Sequence, residues 1–392
     1  MNEILSRIEE IFPYTSALRR EFHRHPELGF QEFHTADILL RELSKLEGFS
    51  IQSGLAKTGL VALLKGAKPG KTVLLRFDMD ALPVMENTGV SFASENEGLM
   101  HACGHDGHMA IGLTTAKILA ENQNDFAGIL KFVFQPAEEG LGGALRMIDA
   151  GILENPRPDY VLGLHLWNEK PLGWLGISDG PVMSASETFR IIINGKGGHG
   201  GKPHEARDPV VASAAVISAL QTLVAREVHP LDSAVITVSS IHGGETHNVI
   251  PEKVILGGTI RTITPETRAQ VLERFHAVVR GVAEAHLCTA EVIIEDVSPA
   301  VTNDPDVADL MRKIAVSLYP EANLVEDYQT MASEDMAFLM QDLPGCYSFI
   351  GSANPEAGLD AKHHQPDFNF DEEAMKIGAA LLVGAVGELL KD

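Results

Sequence analysis

The chain has 392 residues, 45% of them hydrophobic, with 36 glycines, 20 prolines and a formal net charge of -23. That length favours two domains over one, and the composition is that of a globular protein with apolar material enough for sizeable cores. A strongly acidic surface repels phosphate backbones and anionic lipid, which argues against nucleic-acid and membrane partners, while a local cationic cleft can still hold an anionic small molecule.

The opening residues, Met1-Asn2-Glu3-Ile4, lack a basic segment followed by an apolar core, so no signal peptide is expected. No run is read as reaching the ~18 apolar residues of a membrane helix. The three cysteines, Cys103, Cys288 and Cys346, are too sparse for a disulfide framework and suit a reducing compartment, the cytoplasm.

In chain order, Arg19–Arg24 and Thr35–Leu46 read as helices, and Gly59–Leu64 and Thr72–Phe77 as short apolar strands. A helix over His105–Glu121, a strand over Gly128–Gln135, a helix near Leu141–Ala150 and a strand over Tyr160–His165 follow. Strands alternating with helices predict an α/β fold, a central sheet with helices on both faces, whose working residues gather at the carboxyl ends of strands. From about Ala185 to Pro299 the order changes to β-α-β-β-α-β, that of a ferredoxin-like α+β sandwich. Its strands are Phe189–Ile193, Ala234–Ser240, Val254–Ile263 and Glu291–Ile294. One helix runs over Asp208–Ala225, with Val216, Leu220 and Leu223 on one stripe. The other opens at Thr264-Pro265 and carries Leu272, Phe275, Val279 and Val282. The expected organisation is therefore a first domain of residues 1–184 and 300–392 interrupted by a second of 185–299, with closing helices over Asp306–Ser317 and Asp371–Leu390.

The segment His101-Ala-Cys-Gly-His-Asp-Gly-His108 packs three His, one Cys and one Asp into eight residues at the mouth of a helix. A lone His or Cys there would be a polar cap. The cluster, with Cys103 and His105 two apart, points to a metal site, and thiolate with imidazole suits zinc, manganese-like or cobalt-like ions. Gln135-Pro-Ala-Glu-Glu139 ends an apolar strand. One carboxylate of the pair can ligate a metal while its neighbour moves a proton. His165 ends another strand, and His363-His364-Gln-Pro-Asp367 precedes the last helix. Alone, these would be a buried core histidine and a surface loop; with the other elements they supply ligands enough for two metals. Asp78 and Asp80 either orient ligating imidazoles or cap a turn. In the inserted segment, Gly197-Gly-His-Gly-Gly-Lys-Pro-His204 brings His199 and His204 on a glycine-rich turn whose spacing does not match a P-loop. Asn248 and Arg261 complete the set; the Arg261 fork fits a carboxylate or is a surface charge.

Together these residues resemble the hippurate hydrolase, aminoacylase and auxin-conjugate hydrolase family of two-metal amidohydrolases. The likeness runs from Phe22-His-Arg-His-Pro-Glu-Leu-Gly29 through Asp78-Met-Asp-Ala-Leu-Pro83, Cys103-Gly-His-Asp-Gly-His108, Gln135-Pro-Ala-Glu-Glu139 and Gly163-Leu-His165. It continues through Gly198-His-Gly and Asn248-Val-Ile-Pro251 to Ser333-Glu-Asp335 and His364-x-Pro. The resemblance implies two divalent ions per subunit (manganese, zinc, cobalt or nickel) bridged by Cys103, with His105 and His165 on one and Glu139 and His364 on the other. It implies Glu138 as general base and acid. It further implies an inserted lid and dimerisation domain, a homodimer or homotetramer formed through it, and His199 reaching the neighbouring subunit's site while Asn248, Arg261 and His204 hold the substrate. The implied reaction is hydrolysis of N-acetyl- or N-benzoyl-type N-acyl amino acids; the alternative on the same scaffold is a metal-dependent dipeptidase.

Overall fold

The computed structural model describes residues 2–391. The chain opens with α1 (Asn2–Arg24), α2 (Phe33–Leu43), β1 (Phe49–Leu55), β2 (Gly59–Lys65) and β3 (Lys68–Asp78). After a long loop come α3 (His105–Glu121), β4 (Ala127–Gln135), α4 (Gly143–Asp149), β5 (Tyr160–Pro171) and β6 (Trp174–Gly176). A second set follows: β7 (Ala185–Asn194), β8 (Gly198–His199), α5 (Pro209–Arg226), β9 (Ala234–His242), β10 (Val249–Ile250), β11 (Lys253–Thr262), α6 (Pro265–Ala285) and β12 (Thr289–Ser298). The chain returns through α7 (Pro305–Leu318), β13 (Asn323–Val325), β14 (Gly345–Ala353) and α8 (Glu373–Leu389). It divides into two compact units, one of Met1–Val182, Thr302–Gln329 and Asp335–Asp392, the other of Met183–Val301 with Thr330–Glu334.

The first unit is built on an eight-stranded mixed sheet of order β1-β2-β4-β3-β5-β14-β6-β13. β3 lies parallel to both β4 and β5, and β14 parallel to β5; β1, β2 and β4 pair antiparallel. Central parallel strands are covered on both faces and so lose the alternation of a half-exposed strand. Accordingly Thr72–Asp78 is buried residue after residue. α3 is apolar or small around nearly its whole circumference, with His105–Ala116, Ile118 and Leu119 buried, which is the pattern of a helix inside a core. Phe22, Ile38, Phe77, Ile111, Phe132 and Leu381 belong to one continuous apolar cluster.

Two departures from the sequence reading are instructive. The first helix starts at Asn2 rather than Arg19 and carries Pro13 within it, a residue that removes a helical hydrogen bond and masks the pattern. β14 was not expected at all. Its buried run includes Gly345, Cys346, Ser348, Gly351 and Ser352. Small and polar residues have low strand propensity, and their place comes from the strands on either side.

In the second unit β9, β11, β7 and β12 form an antiparallel sheet in that order. The succession β7-α5-β9-β11-α6-β12 is ferredoxin-like. Asp208 caps α5 by accepting from the Val210 and Val211 N–H groups, and Thr264 caps α6 by accepting from Thr267; each helix has Pro in its first turn. The buried stripe of α6 is Val271, Phe275, Val279 and Ala283, one residue off the expected stripe at both ends, so Leu272 and Val282 lie at the core's margin. α5 also corrects an expectation: its 18 residues, with mean hydropathy 1.4, are long and apolar enough to cross a membrane by length and composition. Ala212, Val216, Leu220 and Leu223 nevertheless pack into this unit's core.

Candidate metal centre

The chemistry-bearing segments of the first unit follow strand ends or open helices. β3 ends at Asp78, two residues before Asp80. α3 starts after Gly104, whose φ of 91° is a conformation glycine adopts without a Cβ clash. β4 ends at Gln135 and runs into a tight loop in which Ala137 has φ 56°. There a Cβ on Gly143 would stand 1.7 Å from the Pro136 oxygen, so only glycine fits. β5 carries His165, and the loop before α8 carries His363 and His364. Open α/β sheets place working residues beyond the carboxyl ends of strands in this way.

These segments converge on Cys103. Its Sγ lies 3.6 Å from His165 Nε2. The His165 Nδ1–H donates to the Leu166 carbonyl at 2.8 Å, and the His105 Nδ1–H to the Asp80 carbonyl at 2.9 Å. A main-chain acceptor on Nδ1 fixes the tautomer and leaves Nε2 as the lone pair offered to a cation. His364 Nε2 lies 3.2 Å from Glu139 Oε1, and the Glu139 N–H donates to Asp80 Oδ2 at 3.0 Å. Ligand atoms lie within 4.8 Å of one another in the groups Cys103–His105–His165, Cys103–Glu139–His364 and His105–Glu138–Glu139. Cys103 belongs to two of these groups.

The residues fit cations. His105 Nε2 and Asp80 Oδ1 are buried with no hydrogen-bond partner, a situation that costs about 1–3 kcal/mol per group unless something satisfies it. Burial, then the charges of Glu139, Glu138 and Asp78, push the Cys103 thiol well up. Burial works to lower the His105 pKa, but Asp78 and Asp80 overcome it and raise it to about 10. Burial and the neighbouring His108 and His363 hold His165 well below the usual histidine range. A divalent cation reverses this balance by favouring thiolate and neutral imidazole.

A buried network braces the centre. His108 donates from Nδ1 to Asp78 Oδ1 at 2.7 Å and accepts the Leu166 N–H at Nε2 at 3.0 Å. With both nitrogens engaged it braces β5 instead of ligating. Asp78 thus takes the imidazole of His108, while Asp80 meets His105 Nδ1 with its main-chain carbonyl at 2.9 Å and with a carboxylate oxygen at 3.4 Å. Arg76 donates to Asp78, Gln135 and Asp335 at 2.7, 2.9 and 3.0 Å. Asp335 also accepts the Gln135 amide at 2.8 Å and the Ala144 N–H at 2.9 Å, tying both ends of the Glu138–Glu139 loop. Glu32 accepts from the Thr58 hydroxyl at 2.6 Å and from the Ala137 N–H at 2.9 Å. Sequence reasoning missed Arg76 and Glu32 and assigned no role to Asp335. A lone Glu three residues past Gly29 carries no local signal, and only its nearness to the Phe22–Gly29 motif hinted at it.

The second unit places its candidates differently. β8 and β10 pair antiparallel with His199 opposite Val249, and the Gly200 N–H donates to the Asn248 carbonyl at 2.8 Å, so His199 and Asn248 are neighbours. Both are exposed. His204 follows on the exposed turn Pro203–Glu205, 3.8 Å from Glu205. Arg261 is half-buried on β11. Among the described residues no carboxylate forms an ion pair with it; Glu187, whose charge reaches Arg261, pairs with Arg268.

Comparison with known proteins places this arrangement. Residues 74–388 match Peptidase family M20/M25/M40. Thermostable carboxypeptidase 1 of Saccharolobus solfataricus is 37% identical over 97% of this chain and 96% of its own. N-acetyl-L-cysteine deacetylase of Bacillus subtilis is 37% identical over 99% of this chain and 93% of its own. A solved Bacillus subtilis structure described as a dinuclear metal binding peptidase from M20 family matches with TM-score 0.85 and 31% identity, covering 97% of this chain and 99% of that one. The family match agrees with the resemblance carried by the motifs, and this chain, an amide-bond hydrolase, belongs to Peptidase family M20/M25/M40.

Proposed function

We propose that the chain hydrolyses N-acyl amino acids to a carboxylic acid and a free amino acid at a centre holding two divalent cations. The observation that carries this reading is the sharing of Cys103 Sγ between two ligand groups, Cys103–His105–His165 and Cys103–Glu139–His364. Cations bound there supply Lewis-acid activation of water and of the acyl carbonyl. Nitrogen, oxygen and sulfur donors together accept manganese, zinc, cobalt or nickel. Glu138, half-buried beside Glu139 on the tight loop after β4, takes the proton of the attacking water and returns it to the departing amine.

The same proposal assigns the substrate to residues of the second unit. Arg261 and Asn248 hold the amino acid's carboxylate with His204 nearby, and His199 of the partner subunit stabilises the oxyanion. A half-buried guanidinium without a carboxylate partner among the described residues supports the Arg261 role. Assembly as a homodimer or homotetramer through this unit is supported by exposed apolar side chains: Val210 and Val211 on α5, Val235 and Ile241 on the edge strand β9. Three buried, unpaired cysteines suit the cytoplasm. The name of the Saccharolobus solfataricus carboxypeptidase relative favours a second reading, cleavage of a peptide such as a dipeptide by the same residues.

Side-by-side turnover of an N-acetyl amino acid, an N-benzoyl amino acid and a dipeptide decides between them, and faster dipeptide cleavage would displace the first reading. Glu138→Ala should keep its metal content and lose at least ~100-fold in kcat; near-normal turnover would overturn the role of Glu138.

A further inference from the structure

We propose that Glu21, His25 and His34 form a third cation site, for a divalent ion of the zinc class, built from residues that the catalytic centre does not use. Glu21 lies in the last turn of α1, and His25, four residues on, directly follows the helix. The His25 Nδ1–H donates to the Glu21 carbonyl at 3.0 Å, the same device that turns His105 and His165, so Nε2 is the ligand atom on offer. The His34 ring stands edge-on to that of His25, with centroids 4.8 Å apart. Ligand atoms of all three residues lie within 4.8 Å of one another.

The surroundings hold this trio in place. His34 is the second residue of α2. Its N–H donates to Glu27 Oε1 at 3.1 Å and that of Thr35 to Oε2 at 2.9 Å, which anchors the helix start. Glu95 brings a further carboxylate: its Oε2 lies 3.8 Å from His25 Nε2, and its N–H donates to the Arg24 carbonyl at 2.8 Å. Two imidazoles and the Glu21 carboxylate, with the Glu95 carboxylate beside His25, suit zinc, copper or nickel better than magnesium or calcium, which prefer oxygen alone. His34 is exposed and His25 half-exposed, so an ion reaches the site from solvent.

An ion here ties α1 to α2 across the segment His25–Glu32. That segment lies against the catalytic loops. The Ala81 N–H, next to Asp80, donates to the Glu27 carbonyl at 2.8 Å. A Cβ on Gly29 would stand 2.9 Å from the Ala137 Cβ, next to Glu138. The third ion is thus a clamp on the backing of the catalytic loops, and it goes beyond the amidohydrolase reading.

The test is zinc content by equilibrium dialysis of the zinc-loaded holoenzyme and its variants at neutral pH. Wild type should hold one equivalent more than His34→Ala and Glu21→Gln, while both variants keep the wild-type kcat. Excess zinc should raise the Tm of wild type and leave that of His34→Ala unchanged. Cys103→Ser should lose zinc and activity yet keep the equivalent that His34→Ala loses, which separates this site from the catalytic centre. Equal zinc content and equal Tm shifts in wild type, His34→Ala and Glu21→Gln would overturn the proposal.

Discussion

The two units place most of their candidate residues differently. In the first, Asp78, His105, His108 and Asp335 are at most 5% exposed, and their atoms meet hydrogen-bond partners or, at His105 Nε2, point where a cation fits. In the second, the candidate residues His199, His204 and Asn248 are exposed, outside an apolar core that includes Ile191, Val216, Leu256 and Phe275, and the buried Glu187 pairs with Arg268. Burying a polar group is unfavourable unless its partners are in place, so the first unit's chemistry is preorganised by the fold itself. Solvated side chains are held less firmly, and ordering them on binding opposes affinity.

The largest test of this contrast is removal of the centre's sulfur. Cys103→Ser should lower kcat by about a thousandfold, since cation activation supplies several kcal/mol; kcat within tenfold of wild type would end the bridging role. Thiol reagents should inactivate the metal-stripped enzyme faster than the metal-loaded one, and equal rates would count against Cys103 as a ligand.

Next in size is Asp335→Ala. It breaks a buried pair with Arg76 and frees Gln135 and the Ala144 N–H, so urea unfolding should show a loss of about 3–5 kcal/mol. A loss below about 1 kcal/mol, the scale of an exposed pair, would erase the contrast between the units.

The second unit should answer differently. Arg261→Ala should raise KM for carboxylate-bearing substrates by roughly 10–100-fold, about 1.4–2.7 kcal/mol, with Tm little changed. An unchanged KM would remove Arg261 from the substrate site.

The smallest effect is a pH dependence at Glu32. Burial raises its pKa above the ordinary value, so the folded chain holds this proton more tightly than the unfolded one. The stability this contributes is fully present below the unfolded pKa of about 4.5 and lost as pH rises through the raised folded value. Glu32→Gln, which has no proton to lose, should therefore gain stability relative to wild type between pH 4 and pH 7. A difference independent of pH across that range would show that Glu32 does not titrate in this way.

Much of this was legible from the chain alone. Cys103, His105, Glu138 and Glu139 sit in short segments whose residue types already imply a metal and a proton carrier, and Thr264-Pro265 marked the start of α6. The register of α6 slipped by one residue because Leu272 and Val282 are as apolar as the Val271 and Ala283 that are buried. Glu32, Arg76 and Asp335 stayed silent because, apart from the Arg76–Asp78 contact, their hydrogen bonds reach residues 26 to 259 positions away, a separation that no local pattern carries.

The sequence by itself determined the donor types, the break between α/β and ferredoxin-like order, and the helix caps, since each depends on neighbours within a few residues. Only the tertiary structure decided that His108 braces while His105 offers its Nε2, that Asp80 faces His105 with both its main-chain carbonyl and its carboxylate, and that β14 lies beside β5. Those outcomes depend on which groups meet across the sheet, and burial makes each meeting obligatory because an unpartnered polar atom there is unfavourable.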